Sequence, residues 1–296
     1  MHKSGFVNII GRPNVGKSTL MNALVGQRMS IITSKPQTTR LRIKGILSGD
    51  DFQLVFSDTP GFIQDAQYGM HESMNKFVHS TFEDADVMLL VIDKYDQYEE
   101  DSKLVTKLQK ISIPKFLVIN KIDLATPEEV KELIEQWQKW IPFTDCIPVS
   151  ALNQLGTEAL LQKILEHCPE GPAYYPKDQL TDRSERFFVS EIIRENILEQ
   201  YKKEVPYSCQ VVVDTFKEGT TVDGEDITRI EAHIYVMRKT QKPILIGQGG
   251  QAIKKLGIAA RKDLEEFLQT RIHLELLVKI KENWRNDERQ LKHFGY

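Results

Sequence analysis

The sequence predicts an α/β domain, a mostly parallel sheet with helices on both faces, followed by a smaller α+β domain. Three observations predict it. Phe6 to Ile10 is a short apolar run that opens into the glycine loop Gly11-Arg12-Pro13-Asn14-Val15-Gly16-Lys17-Ser18 and then an amphipathic stretch, Thr19 to Val25, so strand, loop and helix come in order. Lys115 to Ile119 is a second apolar run, readable as a buried parallel strand, and it ends in the polar tetrad Asn120-Lys121-Ile122-Asp123. From residue 183 onward a helix-period segment is followed by two alternating strands and a Gly-x-x-Gly that opens another helix.

The first loop matches the phosphate-cradling pattern G-x-x-x-x-G-K-[ST] at every fixed position. Glycines let the chain turn tightly, so that backbone N–H groups and the positive end of the helix dipole converge on phosphate oxygens. Gly11 through Thr19 are therefore expected to wrap a nucleotide's phosphates, with Lys17 neutralising the β and γ groups and Ser18 holding a bridging Mg²⁺. Gln53 to Ser57 alternates as a strand and ends in Asp58-Thr59-Pro60-Gly61, where Asp58 is placed to reach the same Mg²⁺ through water. Between these lies the polar segment Ser30 to Arg42 with Gln37-Thr38-Thr39-Arg40. A threonine hydroxyl there can complete the Mg²⁺ shell only while a γ-phosphate is present, which orders the segment in one nucleotide state and releases it in the other. Thr39 is the first choice and Thr38 the alternative; Lys17, Thr39, Asp58 and Gly61 form the expected catalytic set.

The tetrad names the base. A carboxylate such as Asp123 accepts two hydrogen bonds from guanine N1–H and N2–H₂, a donor pair that adenine lacks on that edge. Lys121 can lie over the base plane and Asn120 can tie the tetrad to the phosphate side. Ser150-Ala151, after the strand Ile147 to Val149, is expected to contact the base through its backbone.

The second domain starts with an amphipathic helix, Ser184 to Lys203, continues with strands Gln210 to Phe216 and Arg229 to Met237 across a turn at Asp223-Gly224, and adds the Gly-x-x-Gly helix, a helix near Asp263 to Thr270 and the strand Ile272 to Ile280. Residues 232–262 carry seven Lys or Arg and no Asp or Glu, the electrostatic footprint of an anion-binding surface. In its middle lies Ile244-Leu245-Ile246-Gly247-Gln248-Gly249-Gly250. This glycine loop in an α-β-β-α-α-β order matches a type II KH domain, which binds about four nucleotides of single-stranded RNA. Arg238, Lys242, Ile246, Gly247, Gln248, Gly249, Gly250, Lys254, Lys255 and Arg261 are the expected RNA contacts, with Ile244 to Ile246 forming the groove floor. In the tail, Trp284, Arg285, Arg289, Lys292 and Phe294 either add a stacking or phosphate contact or form a solvated cap on the last strand.

Length and composition agree with two domains. The boundary falls at a stretch rich in Pro and Gly (Pro169, Gly171, Pro172, Pro176), giving an expected division into residues 1–168, a linker 169–182, a KH domain 183–281 and a tail 282–296. Net charge is −3, but residues 183–296 hold 20 basic and 18 acidic side chains against 19 and 24 before them. The three cysteines are widely spaced and form no C-x-x-C, which argues against a zinc site or a disulfide framework. No run approaches the roughly 18 apolar residues of a membrane span, and Met-His-Lys-Ser-Gly enters the first strand directly, so a cytoplasmic location is expected.

Taken together, G-R-P-N-V-G-K-S-T, Q-T-T-R, D-T-P-G, N-K-I-D and the Gly-x-x-Gly domain resemble the Era family of bacterial GTPases over nearly the whole chain. The resemblance implies GTP and GDP as ligands, Mg²⁺ as cofactor, binding to 16S ribosomal RNA near its 3′ end, action in 30S subunit biogenesis, a monomer, and a fraction held peripherally at the inner face of the cell membrane. Where Ras-like enzymes place a water-orienting glutamine, this chain has Phe62, a hydrophobic substitution that the family shares and that implies slow intrinsic hydrolysis. In related GTPases an asparagine at the position of Asn14 helps bind K⁺, which implies turnover raised by K⁺ over Na⁺. An RNA-binding scaffold that uses GTP mainly for stability is the alternative reading, because Phe62 cannot hydrogen-bond a water. A route for nucleotide-dependent coupling is expected through the linker and the segments Ser30 to Arg42 and Phe62 to His71.

Overall fold

Apolar runs become the central strands of the first unit. The computed structural model describes all residues except 64, 65, 97 and 101, so part of the Phe62 to His71 segment lies outside the described residues. Residues 1–65 and 72–182 form one unit, and 66–71 with 183–296 the other.

In the first unit β1 (Lys3–Ile10), β2 (Ile43–Ser48), β3 (Phe52–Asp58), β4 (Val87–Ile92), β5 (Lys115–Ile119) and β6 (Asp145–Pro148) form a six-stranded sheet in the order β2-β3-β1-β4-β5-β6. Every pair is parallel except β2 with β3. The helices α1 (Lys17–Val25), α2 (Gly69–Ser80, in this unit from residue 72), α3 (Lys103–Lys110), α4 (Pro127–Trp140) and α5 (Thr157–His167) follow β1, β3, β4, β5 and β6 in turn. β4 and β5 are buried at every residue, as strands covered on both faces must be. The α4 start is locally encoded: Thr126 and Glu129 form a reciprocal capping box and Pro127 fills the first turn. Register then aims the loops. Ile9 pairs with Asp58 and Ile92 with Ile119, so the glycine loop, the D-T-P-G loop and the tetrad all leave the same carboxyl edge, on either side of β1 where the strand order reverses.

Residues 169–182 do not hang as a free tether; they run along the edge of this sheet inside the first unit. Ile46 N–H donates to the Leu180 carbonyl (2.8 Å), Thr181 Oγ1 donates to the Lys44 carbonyl (2.7 Å), and Tyr174 and Tyr175 N–H both reach Gln53 Oε1. The prolines stop regular structure, yet an extended proline-rich segment can still satisfy an edge strand's free groups.

The second unit has the strands β7 (Gln210–Thr220), β8 (Asp226–Val236) and β9 (Arg271–Ile280) in a sheet of that order, β7 antiparallel and β9 parallel to β8. Its helices are α6 (Glu185–Gln200), α7 (Gln241–Ile246), α8 (Gln251–Leu268) and α9 (Glu288–His293). Ile192, Ile193 and Ile197 of α6, Leu245 of α7 and Leu256, Ala260 and Leu264 of α8 share one core with Val211, Ile230 and Ile234 of the sheet. The α-β-β-α-α-β order holds with two shifts. Ile244 to Ile246 belong to the short helix α7, and the helix expected near Asp263 is the second half of α8.

The tail's Trp284 and Phe294 are packed inside and unavailable for stacking, while Arg289 and Lys292 stay exposed. Trp284 is wholly buried, its Nε1–H donates to the Ser208 carbonyl (3.1 Å), and its ring lies 5.5 Å from that of Phe294, itself buried. Trp284→Ala is expected to lower unfolding free energy by about 3–5 kcal/mol through the cavity and the orphaned carbonyl. Urea denaturation checks this, and Trp284→Phe, which keeps the ring and loses the donor, should fall between.

Candidate nucleotide site and nucleic-acid interface

The three loops at the carboxyl edge enclose a cavity of ≈ 490 Å³, within the range of small-molecule sites. Pro13, Asn14, Gly16, Lys17, Ser18, Thr19, Thr39, Thr59, Gly61, Asn120, Lys121 and Asp123 line it. Gly16 stands immediately before α1 with φ +94, and a Cβ there would lie 2.2 Å from Asn120 Nδ2, so only glycine lets the tetrad approach the phosphate loop. Asn120 uses that approach, donating from Nδ2 to the Val15 carbonyl (2.9 Å).

At the phosphate end the charges are prepared for counter-ions. Lys17 is buried and donates to the Gly11 (3.0 Å) and Arg12 (2.7 Å) carbonyls; burial pushes its ammonium down to about 8, against the pull of Asp58 and Asp96. Ser18 Oγ lies 2.6 Å from Asp58 Oδ2 and 2.9 Å from Thr39 Oγ1, and Thr39 Oγ1 is 3.3 Å from Asp58 Oδ2. Thr38 turns elsewhere, to Thr33 Oγ1 and the Lys35 carbonyl. Burial also raises Asp58 above the ordinary carboxylate range, against the Ser18 hydrogen bond and the Lys17 charge, and its Oδ1 is buried with no hydrogen-bond partner. Hard oxygen donors from three segments, with one carboxylate oxygen left without a partner, fit Mg²⁺. A buried ammonium beside them, held by backbone carbonyls, fits phosphate.

At the base end Asp123 is exposed, and Ser150 Oγ donates to its Oδ1 (2.6 Å). Ala151 N–H donates to Asn120 Oδ1 (3.0 Å). Ser150 and Ala151 therefore brace the tetrad through these two hydrogen bonds. Leu124 and Leu152, 53% and 77% exposed, line the cavity at this end. They escaped sequence reasoning because an isolated leucine in a loop carries no signal; their exposure in the fold is the signal. Phe62 is not among the residues that line this cavity but borders two neighbouring ones, one with Pro13, Gln37 and Gly61 and one with Val78 and His79 of α2 and Leu104 of α3. Gly11, Arg12, Val15, Asp58 and Pro60 are not among the lining residues, while the Thr59 hydroxyl anchors its loop to the Ile9 carbonyl (2.8 Å).

The second unit presents the other site. Gly247 (φ +74), Gly249 (φ +57) and Gly250 (φ +79) form a left-handed turn between α7 and α8. A Cβ on Gly247 would meet the Ala252 Cβ at 2.6 Å, whereas one on Gly249 meets nothing. Arg238, Gln248, Gly249, Lys254, Lys255 and Arg261 are exposed, with Lys242, Ile246 and Gly250 half-buried, leaving α8's amino terminus and its lysines free to face an anion. Arg261 also pairs with Glu265 one turn on (3.8 Å). The expected groove floor is corrected at Leu245, which is fully buried and whose carbonyl accepts from Tyr201 Oη (2.8 Å); Ile244 is half exposed and remains on the surface.

Comparison with known proteins matches residues 6–121 to the 50S ribosome-binding GTPase family and residues 204–285 to the KH domain family. GTPase Era of Syntrophus aciditrophicus (strain SB) is 45% identical over 297 residues, covering 100% of this chain and 96% of the relative. The chloroplastic GTPase ERA-like protein of Oryza sativa subsp. japonica is 44% identical over 298 residues, covering 100% of this chain and 70% of its own. Among solved structures, an Aquifex aeolicus Era variant bound to GDP and AlF₄⁻ superposes with a TM-score of 0.93 at 35% identity over 99% of both chains. Era in complex with MgGDPNP and nucleotides 1506–1542 of 16S ribosomal RNA gives 0.93 at 35% identity, over 100% of this chain and 99% of that one. With a phosphate loop, a guanine-reading tetrad and a KH glycine turn in one chain that these relatives match from end to end, the protein belongs to the Era family of GTPases.

Proposed function

We propose that this GTPase is a switch whose nucleotide state governs binding of its KH domain to the 3′ region of 16S ribosomal RNA during 30S subunit assembly. The observation that carries the reading is the full-length likeness to an Era structure holding both MgGDPNP and 16S nucleotides. Lys17 neutralises the β and γ phosphates, and the amino terminus of α1 receives them. Ser18 and Thr39, with Asp58 through water, would hold Mg²⁺, which when bound withdraws charge from the γ-phosphate. Asp123 reads the guanine edge, and Leu124 and Leu152 cover the base. Phe62, at the position where Ras-like enzymes place a glutamine, has no hydrogen-bonding group to orient the attacking water, and intrinsic turnover is slow. Asn14 donates from Nδ2 to the Ser34 carbonyl (3.2 Å), joining the phosphate loop to the 30–42 segment. K⁺ held by its side-chain oxygen would add positive charge beside the phosphates. The same reading makes the protein a cytoplasmic monomer whose membrane-bound fraction is held peripherally; no helix among the described residues is long and apolar enough to cross a membrane.

Steady-state GTP hydrolysis in K⁺ and in Na⁺, with and without an oligonucleotide of the 16S 3′ end, tests this. K⁺ is expected to raise turnover about tenfold, an effect lost in Asn14→Ala, and the RNA to raise it further. Equal rates in both salts remove the K⁺ site. RNA that binds without changing turnover favours the scaffold reading, in which GTP serves stability.

A further inference from the structure

Asp93 was singled out by no motif, yet it sits at the centre of the nucleotide site's framework. It follows β4, all six of whose residues are buried, and the β4–β5 register sets it beside Asn120, whose N–H donates to the Ile92 carbonyl (2.8 Å). Asp93 is 5% exposed. Its Oδ1 accepts from Tyr95 N–H (2.9 Å), and its Oδ2 accepts from Lys121 Nζ at 2.6 Å. The same ammonium donates to the Asn14 carbonyl at 2.6 Å. Lys121 itself occupies the left-handed region (φ +60), a conformation a lysine holds only when its surroundings impose it. Three segments thus meet on one ammonium: the end of β4, the base-reading tetrad and the phosphate loop.

We propose that Asp93 is a positioning residue for the guanine nucleotide: its carboxylate fixes the Lys121 ammonium, so that the lysine stem lies along the cavity wall where the base rests and the tetrad is locked to the phosphate loop through Asn14. Charge makes the carboxylate fit this task. A charged acceptor holds an ammonium more strongly than an amide does, and the Asp93 carboxylate is buried while the Lys121 side chain is a third exposed. The inference rests on guanine-nucleotide binding at this cavity, which tight binding of a fluorescent GDP by the unaltered chain establishes separately.

Asp93→Asn is the informative variant, because its side-chain oxygen can still receive Tyr95 N–H while the charge facing Lys121 is gone. In stopped-flow dissociation of fluorescent GDP and of a fluorescent non-hydrolysable GTP analogue, the rate is expected to rise about tenfold for both nucleotides, since the contact lies on the base side that they share. In a Lys121→Ala background the same substitution should change the rate by less than about twofold, because the partner it acts through is missing. Asp93→Glu, which keeps the charge, should recover part of the loss. The proposal is overturned if Asp93→Asn leaves dissociation unchanged, if its full effect persists in Lys121→Ala, or if nucleotide-free Asp93→Asn has lost its cooperative thermal transition, which would assign the carboxylate to folding alone.

Discussion

Asp123→Asn is expected to weaken GDP and GTP binding by roughly 10²–10⁴-fold and to turn preference toward xanthine nucleotides, because a site built to receive two hydrogen bonds rejects a partner that no longer matches it. The structure says which atom changes. Ser150 Oγ donates to Asp123 Oδ1 at 2.6 Å, and a carboxamide placed there satisfies the serine by keeping its own oxygen on that side. Its NH₂ then replaces Oδ2 and confronts guanine's N2–H₂, donor against donor. Xanthine carries a carbonyl at that position and accepts the new donor. Asp123 is exposed and lies in a single 3₁₀ turn at the surface, so the substitution leaves the fold untouched and the loss reports recognition. Equilibrium titration with fluorescent GDP and XDP checks it. Undiminished GDP binding would take Asp123 away from the base.

The parts of this site that the sequence made legible are those where chemistry fixes residue type and spacing together. Gly16 must lack a Cβ because Asn120 passes 2.2 Å from where one would stand, and Lys17 and Ser18 must follow because the helix begins there. Asp93 escaped because a uniformly apolar strand followed by an aspartate is also what any buried strand ending in a turn looks like; only the β4–β5 register puts it against Lys121. Residues 169–182 carry the composition of a linker, and their proline content is equally that of a segment laid on a sheet edge, a choice that Gln53 and Lys44 decide through hydrogen bonds formed more than a hundred positions away. Trp284 was ambiguous for a related reason: amphipathic aromatics serve both bases and cores, and its Nε1–H found a buried carbonyl. Local pattern gave the strands, helices and loops; which loop meets which is set by register.

Gly249→Asp is expected to reduce affinity for a 16S 3′ oligonucleotide about 10–100-fold while leaving stability nearly unchanged. Gly247 and Gly249 are not equivalent as targets. At Gly247 any side chain collides with Ala252, so a substitution there alters the turn itself. At Gly249 a Cβ enters open space, and φ +57 is a conformation that Asp and Asn tolerate better than most residues. The aspartate therefore keeps the turn and places a negative charge on the path of the phosphate backbone, between α8's amino terminus and the lysines at 254 and 255. Gly249→Asn separates the two effects: it adds the same bulk and the same backbone demand without charge, and should lose much less affinity than Asp. The gap between the two variants should narrow as salt rises, since the repulsion is screened. Fluorescence anisotropy at two salt concentrations reads both quantities. Equal losses for Asn and Asp would mean that close backbone approach at Gly249 decides binding, and no loss in either would move the RNA off the glycine turn altogether.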